Sequence, residues 1–310
     1  MNVKKYILLP ITALLLLTGC LGDDNSVCPR PFQVTVRALC ADMTDITHLG
    51  DAEEVILYMF NERGDYLNHF VLNHNHIVNK QPIEIRFAYG TEPASILFKA
   101  WANLCDRIES ANPADVNHRS DFFVQKKLRD TRNTADLLYA DSPGDLFFGL
   151  LGGVEIERGS EGWGTPQVVD IHRRTTGITI TTVGLSGVDE YHYEVHGAVS
   201  ALNYNGNYTG DWVKKAPEAE FLANGNFFAP IFRKFFPDTQ ETITVDIFHN
   251  NSLLHSVTVE EDINGNSIAG QAGRTINIHI DLTGYYTDGT INVTTRITPW
   301  DVVWQHVEWQ

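Results

Sequence analysis

Cysteine is scarce. Four stand in 310 residues, at positions 20, 28, 40 and 105, and no two have C-x-x-C spacing, which argues against a zinc ribbon or a dithiol redox motif. Basic residues are also few: 23 against 39 acids leave a formal charge of −16, so the footprint that phosphate contacts need is missing and no nucleic-acid partner is expected. After residue 20 no apolar run is long enough to cross a bilayer as a helix. G-x-S-x-G, H-E-x-x-H and a phosphate-cradling glycine loop are all absent, which removes the sequence signatures of three common enzyme classes. Charged residues make up only 20% and hydrophobic ones 43%, which excludes a disordered polyelectrolyte and allows one large or two ordinary domains.

What is present begins with a leader. Lys4 and Lys5 precede an apolar stretch from Ile7 to Leu17, and the segment closes Leu17-Thr18-Gly19-Cys20. A short apolar core behind a basic start reads as a signal peptide, residues 1–19. The small residue before cysteine resembles the lipobox of bacterial lipoproteins. That resemblance implies cleavage between Gly19 and Cys20, a diacylglycerol thioether on Cys20 and acylation of the new amino terminus. Cleavage removes two lysines and no acid, so the mature charge is −18. Residues 20–31, with Asp23 and Asp24, read as a lipidated tether. Outside the cytoplasm a disulfide among Cys28, Cys40 and Cys105 is expected, with the pair left open.

The mature chain reads as all-β. Phe32, Val34 and Val36 alternate with polar residues, as do Ile83, Ile85 and Phe87, while Val55–Phe60 and Ile96–Leu104 are nearly continuous apolar runs. Residues 106–144 lack clean alternation and read as an excursion with one or two short helices near Phe122–Leu128. Strand character returns at Leu146–Ile156, where Gly149, Gly152 and Gly153 predict a bend or bulge. The glycine-rich 158–166 stretch reads as a connection between two β-sandwiches, 32–165 and 166–310. Asn264-Gly265 marks a turn, and Asp288-Gly289 predicts a hairpin.

Several polar groups invite a chemical reading. His192, Glu194 and His196 project from one strand face, neighbours about 7 Å apart and the outer pair about 13 Å apart, too far for one ion. A solvated polar face is the expectation, and no metal or other cofactor is assigned. His74-x-His76 reads as a loop pair. Asp262, Asn264 and Asn266 open like a calcium loop, but Ser267 and Gly273 stand where that loop needs glycine and glutamate, so a turn is expected. Arg173-Arg174 reads as a strand-entry charge pair.

The ordered set of lipobox, Cys28-Pro29 before the first strand, Ile96–Leu104, Asp170–Ile180 running into Val183-Gly184-Leu185, and the terminal Trp300, Trp304 and Trp309 resembles the FimB-like fimbrillin anchor family of Bacteroidales type V pili. The resemblance implies two tandem transthyretin-like β-sandwiches on an outer-membrane lipid anchor. It also implies a non-enzymatic role at a fimbrium base and fimbrial shaft subunits as partners, held by strand addition. Trp300, Val302, Trp304, Val307 and Trp309 read as either a last core strand or a subunit interface. Shaft subunits of this class are matured by cutting after arginine. A cut after Arg30 or Arg37 here severs lipid from fold, so no such cleavage is expected. A rival reading is a surface glycan-binding lipoprotein that stacks sugars on Trp163, Trp212 and Trp300.

Overall fold

The computed structural model describes residues 28–129, 138–159, 162–186 and 190–300. Among them no helix is long and apolar enough to cross a membrane. Alternating apolar residues dictate strands, and among the described residues twenty strands form three sheets.

The first sheet has seven strands in the order Tyr66–Asn73, Glu54–Asn61, Ser95–Ala102, Phe147–Glu155, Gln167–Arg173, Phe32–Leu39 and Ile83–Ile85. Every one of these strands contributes to a single cluster that includes Val34, Leu57, Leu72, Ile85, Phe98, Val154 and Ile171. The sheet therefore closes around its own core. The expected bulge is present: register shifts between Leu151 and Val154, across Gly152-Gly153. Gly149 has a different role, since a Cβ there would lie 2.2 Å from the Asp170 carbonyl oxygen.

In the second half a five-stranded sheet faces the larger, eight-stranded one. The former runs Glu220–Phe221, Phe227–Lys234, Thr176–Val183, Arg274–Asp281, Asn292–Pro299. The main path of the latter runs Ser252–Val259, Ile243–His249, Tyr191–Leu202, Tyr208–Lys215, Leu138–Ala140, Leu128–Arg129. Between them lies a core of Ile178, Tyr193, Val245, Ile276 and their neighbours.

Three placements differ from the sequence expectation. Strand Gln167–Arg173, on the far side of the expected 165/166 boundary, pairs in the first sheet, parallel to Phe32–Leu39 and antiparallel to Phe147–Glu155. The 158–166 stretch thus connects two strands of one sheet, and the change of sheet comes at Arg174-Thr175. The second difference is the excursion. Among its described residues it holds one short 3-10 turn, Pro113–Asp115, capped by the Asn112 side chain, but Val124–Lys126 is a strand paired with Ile108–Ser110 and Tyr191–Leu202. Its alternation is real: Phe122, Val124 and Lys126 are buried while Phe123 and Lys127 are exposed. A lysine in an inward position hides that period. Thirdly, Asp288-Gly289 lies in the connection of an antiparallel hairpin, as expected, since Arg274–Asp281 pairs with Asn292–Pro299, but the connection is longer than a two-residue turn. Tyr285–Asp288 is a single helical turn ended by Gly289 in the left-handed region, φ 80°. Asn264-Gly265 is the expected turn, with the Gly265 amide donating to Asp262 O at 2.9 Å.

A third cluster welds the halves. Tyr58, Trp101 and Phe148 of the first sheet meet Ile108, Phe122 and Val124 of the excursion and Val199, Leu202 and Phe235 of the second half. Trp101 is fully buried, with ring centroids 5.1 Å from Phe122 and 4.5 Å from Phe148. Such aromatic contacts add about 0.5–1.5 kcal/mol each beyond burial.

Candidate anchoring and subunit-contact sites

Gly19 and Cys20, the expected cleavage and lipidation positions, lie outside the described residues, as do Val302, Trp304, Val307 and Trp309. The chain enters the body at Cys28. Its carbonyl accepts from the Gly159 amide at 3.0 Å, the Arg30 amide donates to Glu157 O at 2.8 Å, and Pro31 O accepts from Gly164 at 2.8 Å. The Arg30 guanidinium packs on Gly159, where a Cβ would lie 2.3 Å away. Two residues on, Phe32 opens a strand that has partners on both sides. A pull on the amino terminus is therefore resisted by main-chain bonds from its first described residue.

Arg37 sits inside that ladder, opposite Asp170, to which its Nε and Nη2 donate at 2.7 and 2.8 Å. The Arg30 peptide bond is followed by proline. Brief digestion of the folded protein with an arginine-specific protease is expected to leave both bonds intact, as read by amino-terminal sequencing. A new terminus at Pro31 or Ala38 would overturn this.

The expected disulfide is a correction. Cys40 and Cys105 carry free thiols, so no pair forms among Cys28, Cys40 and Cys105. The physical reason is the sheet between them. Cys40 packs against the core of the first sheet, whereas Cys105 packs against the cluster on its opposite face. The Cys40 thiol donates to Asp42 Oδ1 at 2.7 Å.

Trp300 is the one tail residue within the described set. Its ring lies under two guanidiniums, with Arg173 Cζ at 4.7 Å and Arg233 Cζ at 4.9 Å. Arg173 is buried. Its Nε donates to both oxygens of Asp145 at 3.0 Å, its Nη2 bonds Asp51, and its plane also covers Phe147 at 4.8 Å. Burial pushes the Asp145 carboxyl up, and Arg173 and Arg233 draw it back. Arg173 is thus more than a strand-entry charge: it ties the end of the first sheet to the end of the last strand. Sequence reading missed Asp51, Asp145 and Arg233, which no local pattern links to it.

Lysines are the second missed group. Lys99, in the first sheet, donates to Tyr204 O at 2.6 Å and Asn205 Oδ1 at 3.2 Å across the junction. Burial lowers its pKa to about 8. Burial and then Lys215 lower Lys126 to about 7, and Lys126 rests on the Phe235 ring at 4.7 Å. Buried Lys234 is lowered well below the usual range and donates to Val195 O and His196 O. Unfolded lysines hold their protons to about pH 10.4. Between about pH 7 and 10 the unfolded chain therefore binds more protons, and stability rises with pH in that window. Above it the trend reverses, because burial holds Tyr58, Tyr193 and Tyr208 protonated only in the folded state. A thermal midpoint measured from pH 7 to 9.5 is expected to climb; a flat or falling profile would refute the lowering of these lysines by burial.

The histidine strand resolves differently from a row of three. His192 stacks on Phe248 at 4.8 Å. Glu194 and His196 instead meet Asp246 of the adjacent strand, with ligand atoms within 4.8 Å of one another. Lys214 Nζ occupies Glu194 Oε2 at 2.9 Å, His196 Nε2 bonds Asp246 Oδ2 at 2.8 Å, and Ser256 Oγ donates to Asp246 Oδ1 at 2.6 Å. A tethered ammonium already neutralises the carboxylate, so the group is a closed polar network. His74 and His76 lie on a short helix, His74–Val78, whose amide at His76 is capped by Asn73 Oδ1, rather than in a loop. Asp262 Oδ1 accepts from the Asn264 and Asn266 amides at 2.9 Å, the expected turn. The proposed stacking residues do not converge. Trp163 is half-exposed beneath Arg86 at 5.4 Å, Trp212 is exposed on strand Tyr208–Lys215, and Trp300 is taken up by the two guanidiniums described above.

Residues 25–306 match the family model of fimbrillin-A associated anchor proteins Mfa1 and Mfa2. The chain is 32% identical over 329 aligned residues to a major fimbrium anchoring subunit FimB of Porphyromonas gingivalis, covering 99% of each. Among solved structures, it resembles the fimbrial anchor protein Mfa2 of the same organism at TM-score 0.62 and 14% identity, covering 88% of this chain and 98% of that one. A putative polysaccharide-binding protein of Bacteroides thetaiotaomicron gives TM-score 0.62 and 14% identity, over 84% and 97%. At such identities the structural likeness concerns the fold.

Proposed function

The chain belongs to the family of fimbrillin-A associated anchor proteins, and from this we propose that it anchors a fimbrium to the cell that makes it. The observation that carries the reading is full-length identity of 32% to subunits named for fimbrium anchoring. Relatives of that kind are structural proteins, and the polar clusters found here are closed networks, which favours a mechanical role over a catalytic one.

In this reading Cys20 carries the lipid that holds the protein on the outer membrane, and residues 21–27 are the tether. Load enters at Cys28, passes through the main-chain bonds to Glu157–Gly159, and crosses to the second half through the Trp101 cluster and the Arg173–Trp300 contact. The fimbrial shaft is held by strand pairing, which resists pulling because several backbone bonds must break together. Deleting the gene and comparing cell-bound with shed fimbriae tests the proposal. Free fimbriae in the medium are expected, and fimbriae that stay attached would refute it.

A further inference from the structure

We propose that the exposed edge of strand Ser252–Val259 is where a fimbrial subunit docks. It takes an extended segment with large apolar side chains on both faces and basic residues at one end. The inference rests on the anchoring role argued above. Edge strands in natural proteins are normally blunted by lysine, proline or a covering segment. The sequence SLLHSVTV has no charged residue and no proline, and among the described residues no other backbone group bonds to its outer side. The neighbouring edge, Asn292–Pro299, is guarded. Thr295 O accepts from the Ile263 amide at 2.9 Å, and Pro299 has no N–H to offer.

The surroundings decide the chemistry of the occupant. On the outer face Leu253, 56% exposed, pairs with Phe248, which stacks on His192. On the inner side His255 meets Tyr285 at 4.1 Å, and Tyr285 meets Tyr286, 63% exposed, at 5.4 Å. An added strand alternates its side chains between these two apolar strips. Exposed Glu260 and Glu261 close one end, which favours a basic residue there. The rival edge, Tyr66–Asn73, is partly taken: the Tyr66 amide donates to Asn117 O at 2.8 Å.

The test uses the full-length chain in its own bacterium, with the double variant Leu253→Lys/Tyr286→Lys and the control Val71→Lys on the rival edge. The double variant is expected to reach the membrane at wild-type level yet raise shed fimbriae at least ~10-fold, since a lysine in each apolar strip leaves a charge to be buried under the large apolar side chains of the incoming strand; the control is expected to retain them. Hydrogen exchange on detergent-solubilised wild-type chain, with and without sheared fimbriae, reads the same edge without any variant. Amides of Ser252–Val259 are expected to gain protection and those of Tyr66–Asn73 to stay unchanged. Wild-type retention by the double variant, or protection appearing at Tyr66–Asn73 instead, would overturn the docking edge. If gene deletion itself leaves fimbriae attached, the anchoring role fails rather than the choice of edge.

Discussion

Replacing Cys20 with alanine is expected to empty the membrane fraction of this protein and to free its fimbriae into the medium. The thiol is the only atom of the leader pattern that can carry a thioether lipid. Each methylene buried in a bilayer contributes about 0.8 kcal/mol, so two or three chains supply an anchor that no charge pattern replaces. The chain is strongly acidic, and among the described residues no helix is long and apolar enough to span a bilayer. Fractionation with metabolic lipid labelling measures the outcome. Undiminished membrane retention of the alanine variant would remove the lipid from the account.

The second large effect is on stability. Arg173→Met is expected to cost about 3–5 kcal/mol, the usual penalty for leaving a buried charge without its partner. Asp145 loses both hydrogen bonds from Arg173 Nε, Asp51 loses its bond to Nη2, and Trp300 loses one of its two guanidinium faces. Arg173→Lys restores charge but not the planar fork, and is expected to recover only part. The deficit should shrink on acidification, because a protonated Asp145 no longer needs a counter-charge. Calorimetry from pH 7 to 4 on the wild type, Arg173→Met and Arg173→Met/Asp145→Asn checks this. A double variant as unstable as the single one would show that packing, not charge, is what Arg173 supplies.

These two predictions come from opposite ends of what can be read along a chain. The proposed leader rests on a linear signal: basic, apolar, small residue, cysteine, in order. Strands such as Phe32–Leu39 and Arg274–Asp281 are legible for the same reason, because a period-two pattern is written in neighbouring residues. The junction was not legible. Lys99 and Asn205 are 106 positions apart, and Arg173 reaches Asp51 across 122. Lys126 even misdirects, since a charged residue in an inward position breaks the very pattern that marks its strand. The Asp288-Gly289 pair shows a subtler ambiguity: a glycine with positive φ serves a helix end as readily as a hairpin.

Sequence alone determined that this is a turn-rich all-β chain, and it is the source of the proposed lipoprotein-type leader, because both readings depend on residues next to one another. Only the folded arrangement decided which strands lie side by side: that Gln167–Arg173 inserts parallel to Phe32–Leu39, that the excursion extends the other half's sheet, and that Trp300 closes between two arginines. Hydrophobic alternation fixes which side of a strand is buried and leaves its partner open. That choice is made by complementary shape and charge between segments far apart in the chain.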